Sequence, residues 1–158
     1  MATGGSSLLA ALPEFFWQTP YVNEHFPGAP VIEGIRGGVN CQLFAYTVLA
    51  HFGLAAPRLR SINLWDEKTS TTTVASDNLE PLDLPLFNRI ANPFGAHVAV
   101  YVGDDRILRL CKEVGTPVVS TFADFAQRDN SAIFVDAKRV TTRISSATTL
   151  GRQNDVDG

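Results

Sequence analysis

Histidine, cysteine and methionine are scarce in this chain: among 158 residues there are three, two and one of them. None of them falls at a metal-ligand spacing, and no glycine-rich phosphate loop is present, so no metal or cofactor is implied. Positive charge is thin as well. Thirteen Lys and Arg face sixteen Asp and Glu, for a net charge of -3, and the basic residues are scattered. A grip on phosphate backbones needs a concentrated positive field, so nucleic acid is not an expected partner. No apolar run approaches the roughly 20 residues needed to span a bilayer. The first twelve residues hold no Lys or Arg ahead of Leu8-Leu9-Ala10-Ala11-Leu12, so the charged start of a secretory signal is missing. The expectation is a soluble, cytoplasmic chain with no membrane partner, although a secreted mature form without its signal would look the same. The spacing of Cys41 and Cys111 leaves a disulfide open, while a cytosolic setting would keep both as thiols.

What is there is ordinary globular material, 45% hydrophobic and 18% charged, enough for one core. Residues 6–17 read as a helix capped by Ser6 or Ser7 and interrupted by Pro13. Residues 19–39 carry Pro20, Pro27, Gly28, Pro30, Gly34, Gly37 and Gly38, too much punctuation for regular structure. From Cys41 the apolar positions Phe44, Ala45, Val48, Leu49 and Phe52 follow helical spacing. Asn40 is placed to cap that helix and Gly53 to end it. Residues 57–78, polar and rich in Thr and Ser, read as a loop bordering a substrate. Short β-rich runs follow at 84–87, 97–102, 106–110 and 132–135, the middle two forming a hairpin across Gly103-Asp104-Asp105. Residues 121–127 read as a short helix. Helices first and antiparallel strands after give an α+β fold with helices packed on one sheet.

Cys41 would occupy the first turn of its helix, where unsatisfied backbone N–H groups and the helix dipole favour a thiolate. Thiols so placed have pKa values of roughly 3.5–7.5 and make usable nucleophiles. Read on periodicity alone, Cys41 is equally a small apolar residue continuing the core stripe. His97, at the head of a strand after Gly95-Ala96, can turn its ring toward a helix terminus and exchange a proton with a thiol. It also suits a hydrogen-bonded histidine at the edge of a core. His51 suits a helix C-terminus, His25 lies in a loop with no identified partner, Cys111 reads as structural, and Asp104-Asp105 reads as turn chemistry.

The surroundings of these residues carry a resemblance. Pro20-Tyr21-Val22, then Gly37-Gly38 and Asn40-Cys41-Gln42-Leu43, are similar to a Pro-Tyr loop running through glycines into Asp-Cys-Ser-Gly. Gly53-Leu54 and Pro57-Arg58 resemble the helix exit, and Pro81-Leu82-Asp83-Leu84 resembles a Pro-Gly-Asp-Leu strand entry. A histidine strand is matched by His97-Val98-Ala99-Val100-Tyr101-Val102-Gly103-Asp104, and a basic final strand by residues 135–140 with Lys138-Arg139. The chain thus resembles the NlpC family of papain-like cysteine peptidases, many of which cut bacterial cell-wall peptides, from about residue 20 to residue 140.

The resemblance implies an α+β, papain-like NlpC-type fold: one cysteine hydrolase domain over residues 1–144 and a flexible polar tail over 145–158. It implies Cys41 as nucleophile and His97 as general base and acid. Tyr21 and Gln42 would be the substrate and oxyanion contacts, joined by the Cys41 backbone N–H. The family's third polar residue, twelve positions after the histidine, is here Arg109. Guanidinium only donates hydrogen bonds, so it does not orient an imidazole as an acceptor would. The alternatives are an orienter from elsewhere, a dyad, an Arg109 that binds a substrate carboxylate, or a degenerate site. Gln42-Leu43 in place of Ser-Gly implies a narrower cleft, and the substrate need not be cell wall. The expected reaction is hydrolysis of a peptide or other amide through an acyl-thioenzyme, without cofactor. Acyl transfer by the same dyad and a non-catalytic binding module are the rivals. A toxin delivered into neighbouring cells is a further one; the oligomeric state is left open.

Overall fold

The computed structural model describes residues 4–26, 37–56, 61–92, 96–110, 114–127 and 133–144. The N-terminal residues form two helices, α1 (Gly4–Ala11) and α2 (Glu14–Trp17), where one was expected. Pro13 has no N–H to continue the first helix, so it starts the second, and α1 begins ahead of the serines expected to cap it.

Helix α3 (Cys41–His51) is bounded as its sequence predicts. Asn40 Oδ1 accepts from the Leu43 N–H at 2.9 Å. At the other end Gly53 turns left-handed with φ 90°. Its N–H donates to Ala50 O and that of Leu54 to Leu49 O, the paired closure of a Schellman motif. The expectation of one buried face is corrected, since Gln42 and Tyr46 are buried alongside Leu43, Phe44, Ala45, Val48 and Leu49. Strands cover one side of α3, and on another the Phe16 ring packs on Phe44 and His51. Each such apolar side chain removed from water stabilises the fold by about 1.5–3 kcal/mol.

Residues 61–78 are not a loop. They form α4 (Ser61–Asp66), β1 (Thr71–Val74) and a 3₁₀ turn over Ser76–Asn78. Thr71 and Val74 are buried while Thr72 and Thr73 are exposed, so the alternation that announces a strand is absent. The remaining strands are β2 (Leu84–Asn88), β3 (His97–Val98), β4 (Val100–Gly103), β5 (Arg106–Arg109), β6 (Val118–Thr121) and β7 (Ile133–Val140). One antiparallel sheet has the order β1-β7-β2-β3, and a second has β4-β5-β6. Strand β1 therefore lies at the edge farthest from the strand of His97, which removes it from the expected substrate border. The run at 97–102 splits at Ala99 between the two sheets, but the backbone ladder carries on: Ala99 N donates to Pro85 O and Tyr101 N to Asp83 O. Strand β6 was not foreseen, and β7 joins the β-rich run expected at 132–135 to the basic final strand that the resemblance implied over 135–140. The β4–β5 hairpin turns on Asp104 and Asp105, both at positive φ (55° and 62°), as a two-residue primed turn requires.

A short helix, α5 (Phe122–Ala126), follows β6 directly. Thr121 Oγ1 accepts from Asp124 N and Asp124 Oδ2 from Thr121 N, a reciprocal capping box. On β7 the basic pair divides between the faces of the strand. Lys138 is buried, and its Nζ donates to the carbonyls of Trp65 and Glu67 at 3.2 and 2.8 Å. Arg139 grips buried Asp83 through Nε and Nη2 at 2.8 and 2.9 Å. Leu82, where the family motif has glycine, holds φ 80°, a conformation costing a non-glycine residue about 1–2 kcal/mol. The tail at 145–158 and Cys111 lie outside the described residues.

Candidate active site

The start of α3 is held by the preceding loop rather than by the sheet. Tyr21 bridges Val39 in parallel; Val22 N donates to Val39 O, Val39 N to Pro20 O, and Asn40 N to His25 O at 2.8 Å. The His25 ring has the partner its sequence context did not reveal: Nδ1 donates to Gly38 O at 2.7 Å. A carbonyl only accepts, so that nitrogen carries the proton. Gly38 stands at φ +100°, and a Cβ there would run into the Val22 side chain and come within 3.0 Å of Pro20 O. Only glycine lets the two segments close on one another. Three residues later the helix begins, with its thiol in the first turn.

Cys41 is half-buried and is a thiol, not half of a disulfide. Gln42, expected among the substrate and oxyanion contacts, is buried and hydrogen-bonds Tyr46 one turn on. Burial pushes the Tyr46 phenol well above the usual tyrosine range, and the neighbouring Cys41 pushes it further; the Gln42 hydrogen bond acts the other way. Tyr21 is half-buried, its hydroxyl donating to Asn23 Oδ1 at 3.3 Å and its N–H to Gly115 O at 2.9 Å.

His97 pairs with Phe87 at the head of β3, and its Nε2 is shielded from solvent. Helix α3 packs against β3, so the helix headed by Cys41 and the strand headed by His97 are neighbours. Arg109 lies on β5, 3% exposed, with Nε donating to Ser120 Oγ at 2.8 Å. Its guanidinium lies over the Phe125 ring, 5.0 Å from the centroid. The His97 ring lies 5.8 Å from that same ring. Phe125 is held in turn by stacking on Phe87 at 3.8 Å. The structure thus brings Cys41, Gln42 and Tyr21 to one helix start, and His97 and Arg109 to one aromatic ring.

No family model matches the sequence, and no curated protein does. Solved structures do. The NlpC/P60 domain of the peptidoglycan hydrolase SagA superposes with a TM-score of 0.54 at 18% identity, over 86% of this chain and 98% of its own. The chain has the NlpC/P60 fold. The peptidoglycan hydrolase RipB from Mycobacterium tuberculosis gives a TM-score of 0.50 at 18% identity, over 88% of this chain and 71% of its own. An NlpC/P60 family protein from Bacillus cereus gives 0.50 at 18% identity, over 66% of this chain and 32% of its own. This chain therefore spans about a third of that protein's length. At such identity the likeness is one of fold, and function rests on the side chains.

Within this NlpC/P60 fold, three residues beside the expected set were not picked out from sequence, and a fourth, His25, was noted without its partner. Tyr46 has a signal, lying one helical turn after Gln42. His25, Ser120 and Phe125 have none, because their partners are set by loop closure and by the pairing of β5 with β6.

Proposed function

We propose that this protein is a cysteine hydrolase of amide bonds, with Cys41 as nucleophile and His97 as its base. The observation carrying this reading is a thiol in the first turn of a side-chain-capped helix, packed on the strand that a histidine begins. The Cys41 sulfur attacks the amide carbonyl while His97 takes the thiol proton. Collapse of the tetrahedral adduct breaks the C–N bond, and His97 returns the proton to the leaving amine. Water then attacks the acyl-thioenzyme, giving a proton to His97 and releasing the acid and the thiol. The Cys41 N–H donates to the oxyanion, a contact typically worth about 2.7–4 kcal/mol. Tyr21 helps once its hydroxyl exchanges Asn23 for that oxygen. Gln42 acts by holding Tyr46. SagA and RipB are peptidoglycan hydrolases, which makes peptidoglycan one candidate substrate. The same dyad passes the acyl group to an amine or alcohol where that outcompetes water.

Iodoacetamide labelling, mapped by mass spectrometry to separate Cys41 from Cys111, tests the proposal. Cys41 should alkylate well below the pH at which a free thiol of pKa about 8.5 reacts. His97→Ala should cut peptide turnover by about 10²–10⁴-fold, and Cys41→Ala should abolish it. If Cys41 reacts no faster than a model peptide thiol, a non-catalytic binding module becomes the better account.

A further inference from the structure

The backbone of His97 is set by its pairing with Phe87 at the head of β3, which fixes where the imidazole starts. The plane of the ring is a separate matter. The last torsion of a histidine side chain is broad and roughly two-fold, so neighbouring atoms decide which way the ring nitrogens point. One such neighbour is the Phe125 ring, its centroid 5.8 Å from that of His97 and its plane tilted by 43°. Aromatic pairs in contact lie roughly 4.5–7 Å apart. We propose that Phe125 is a positioning residue for His97, a wall that holds the imidazole in the orientation in which it serves Cys41.

The proposal rests on the hydrolase reading, which supplies the base whose orientation matters. What favours Phe125 is how firmly it is itself placed. It is buried, it stacks on Phe87 at 3.8 Å with the planes 10° apart, and the Arg109 guanidinium lies over the same ring. Phe87 is also the residue paired with His97, and directly opposed residues of antiparallel strands turn their side chains to one face. One phenylalanine thus sets both the backbone of the histidine and the wall beside its ring. The helix that carries Phe125 is tied at its start by the capping box of Thr121 and Asp124, directly after β6.

Phe87, Ala99, Ile107 and Phe125 form a cluster of their own, while Leu43, Phe44 and Ala45 of α3 belong to the larger core. The base is therefore braced by one cluster and the helix of the thiol by the other, and the two meet where α3 packs on β3. A misplacement of about 1 Å in a reacting group costs on the order of 10²-fold in rate, so a ring that stops the imidazole from rocking has a measurable effect.

The test is the rate at which iodoacetamide alkylates Cys41 at neutral pH, mapped by mass spectrometry, in the full-length protein, in Phe125→Leu, in His97→Ala and in the double variant. His97→Ala should slow alkylation, because the thiol loses its base. Phe125→Leu should slow it by about tenfold where His97 is present, and by less than about twofold where His97 is already gone. A loss of packing alone would act alike in both backgrounds. Equal slowing in the two backgrounds, or no slowing where His97 is present, would overturn the proposal and leave the hydrolase reading in place. A rate unchanged by His97→Ala would remove the hydrolase reading, and the proposal with it. Phe125→Met, whose flexible thioether fills the site without a planar face, should show the same dependence on His97 and decides the matter should the leucine variant not fold.

Discussion

Lys138 and Arg109 are the two buried cations among the described residues, one on each sheet, and their surroundings differ in kind. Lys138 donates to two backbone carbonyls at the end of α4 and lies 6.0 Å from the Trp65 ring centroid. Burial lowers its pKa and nearby Lys68 lowers it further, while Glu67 and Asp66 oppose the shift. Its neighbour Arg139 is closed on Asp83 in the same way, and hydrogen bonds to that carboxylate raise the guanidinium pKa. Arg109, by contrast, meets a hydroxyl and an aromatic face and lines a cleft. In the first sheet charge fastens one element to another. In the second it lines an open cleft.

The sharpest way to break this comparison is Lys138→Met. It should cost about 3 kcal/mol, because two carbonyls lose a charged donor while buried. A urea midpoint unchanged to within about 0.5 kcal/mol would end the idea of a structural clasp. Labelling of Cys41 should not change.

Tyr46→Phe probes the packing near the thiol. The ordinary tyrosine pKa is 10.0, and that of the folded protein is higher. Above pH 10 the unfolded chain therefore gives up a proton that the folded chain keeps. Stability should fall there by up to about 1.4 kcal/mol per pH unit, and the phenylalanine variant should lose that slope. A variant with the wild-type alkaline slope would contradict the burial of this phenol.

Arg109→Gln should cost only about 1 kcal/mol of stability, since removing a buried charge offsets part of the lost hydrogen bond and cation–π contact. Thermal melting checks this, and a cost as large as that of Lys138→Met would make the two cations alike. The smallest effect expected is for Thr121→Ala, about 0.5–1 kcal/mol from the lost cap of α5. Chemical denaturation measures it, and no loss at all would mean that neighbouring contacts, not the capping box, hold Phe125.

The parts of this fold legible in the sequence are those whose hydrogen bonds close within a few residues. Asn40 to Gly53 declares a helix at both ends, and Asp104-Asp105 declares its turn. The polar strand β1 and the unannounced β6 were not legible, because they are strands only through pairing with β7 and β5. The run at 97–102 looked continuous since nothing local marks Ala99 as the residue that changes sheets. At the site, Cys41 was visible from its place at a helix start. The partners of His25, Arg109 and Gln42 were not.

By itself the sequence determined a capped helix headed by a thiol, a histidine at the head of a strand, and an α+β order of elements. These depend on contacts between residues close along the chain or on residue type alone. Tertiary structure alone decided that β3 lies on α3, that Lys138 turns inward while Arg139 meets Asp83, and that Arg109 lines a cleft beside the ring His97 touches. Those outcomes depend on strand register and on which surfaces are removed from water together, and both are settled between segments tens of residues apart.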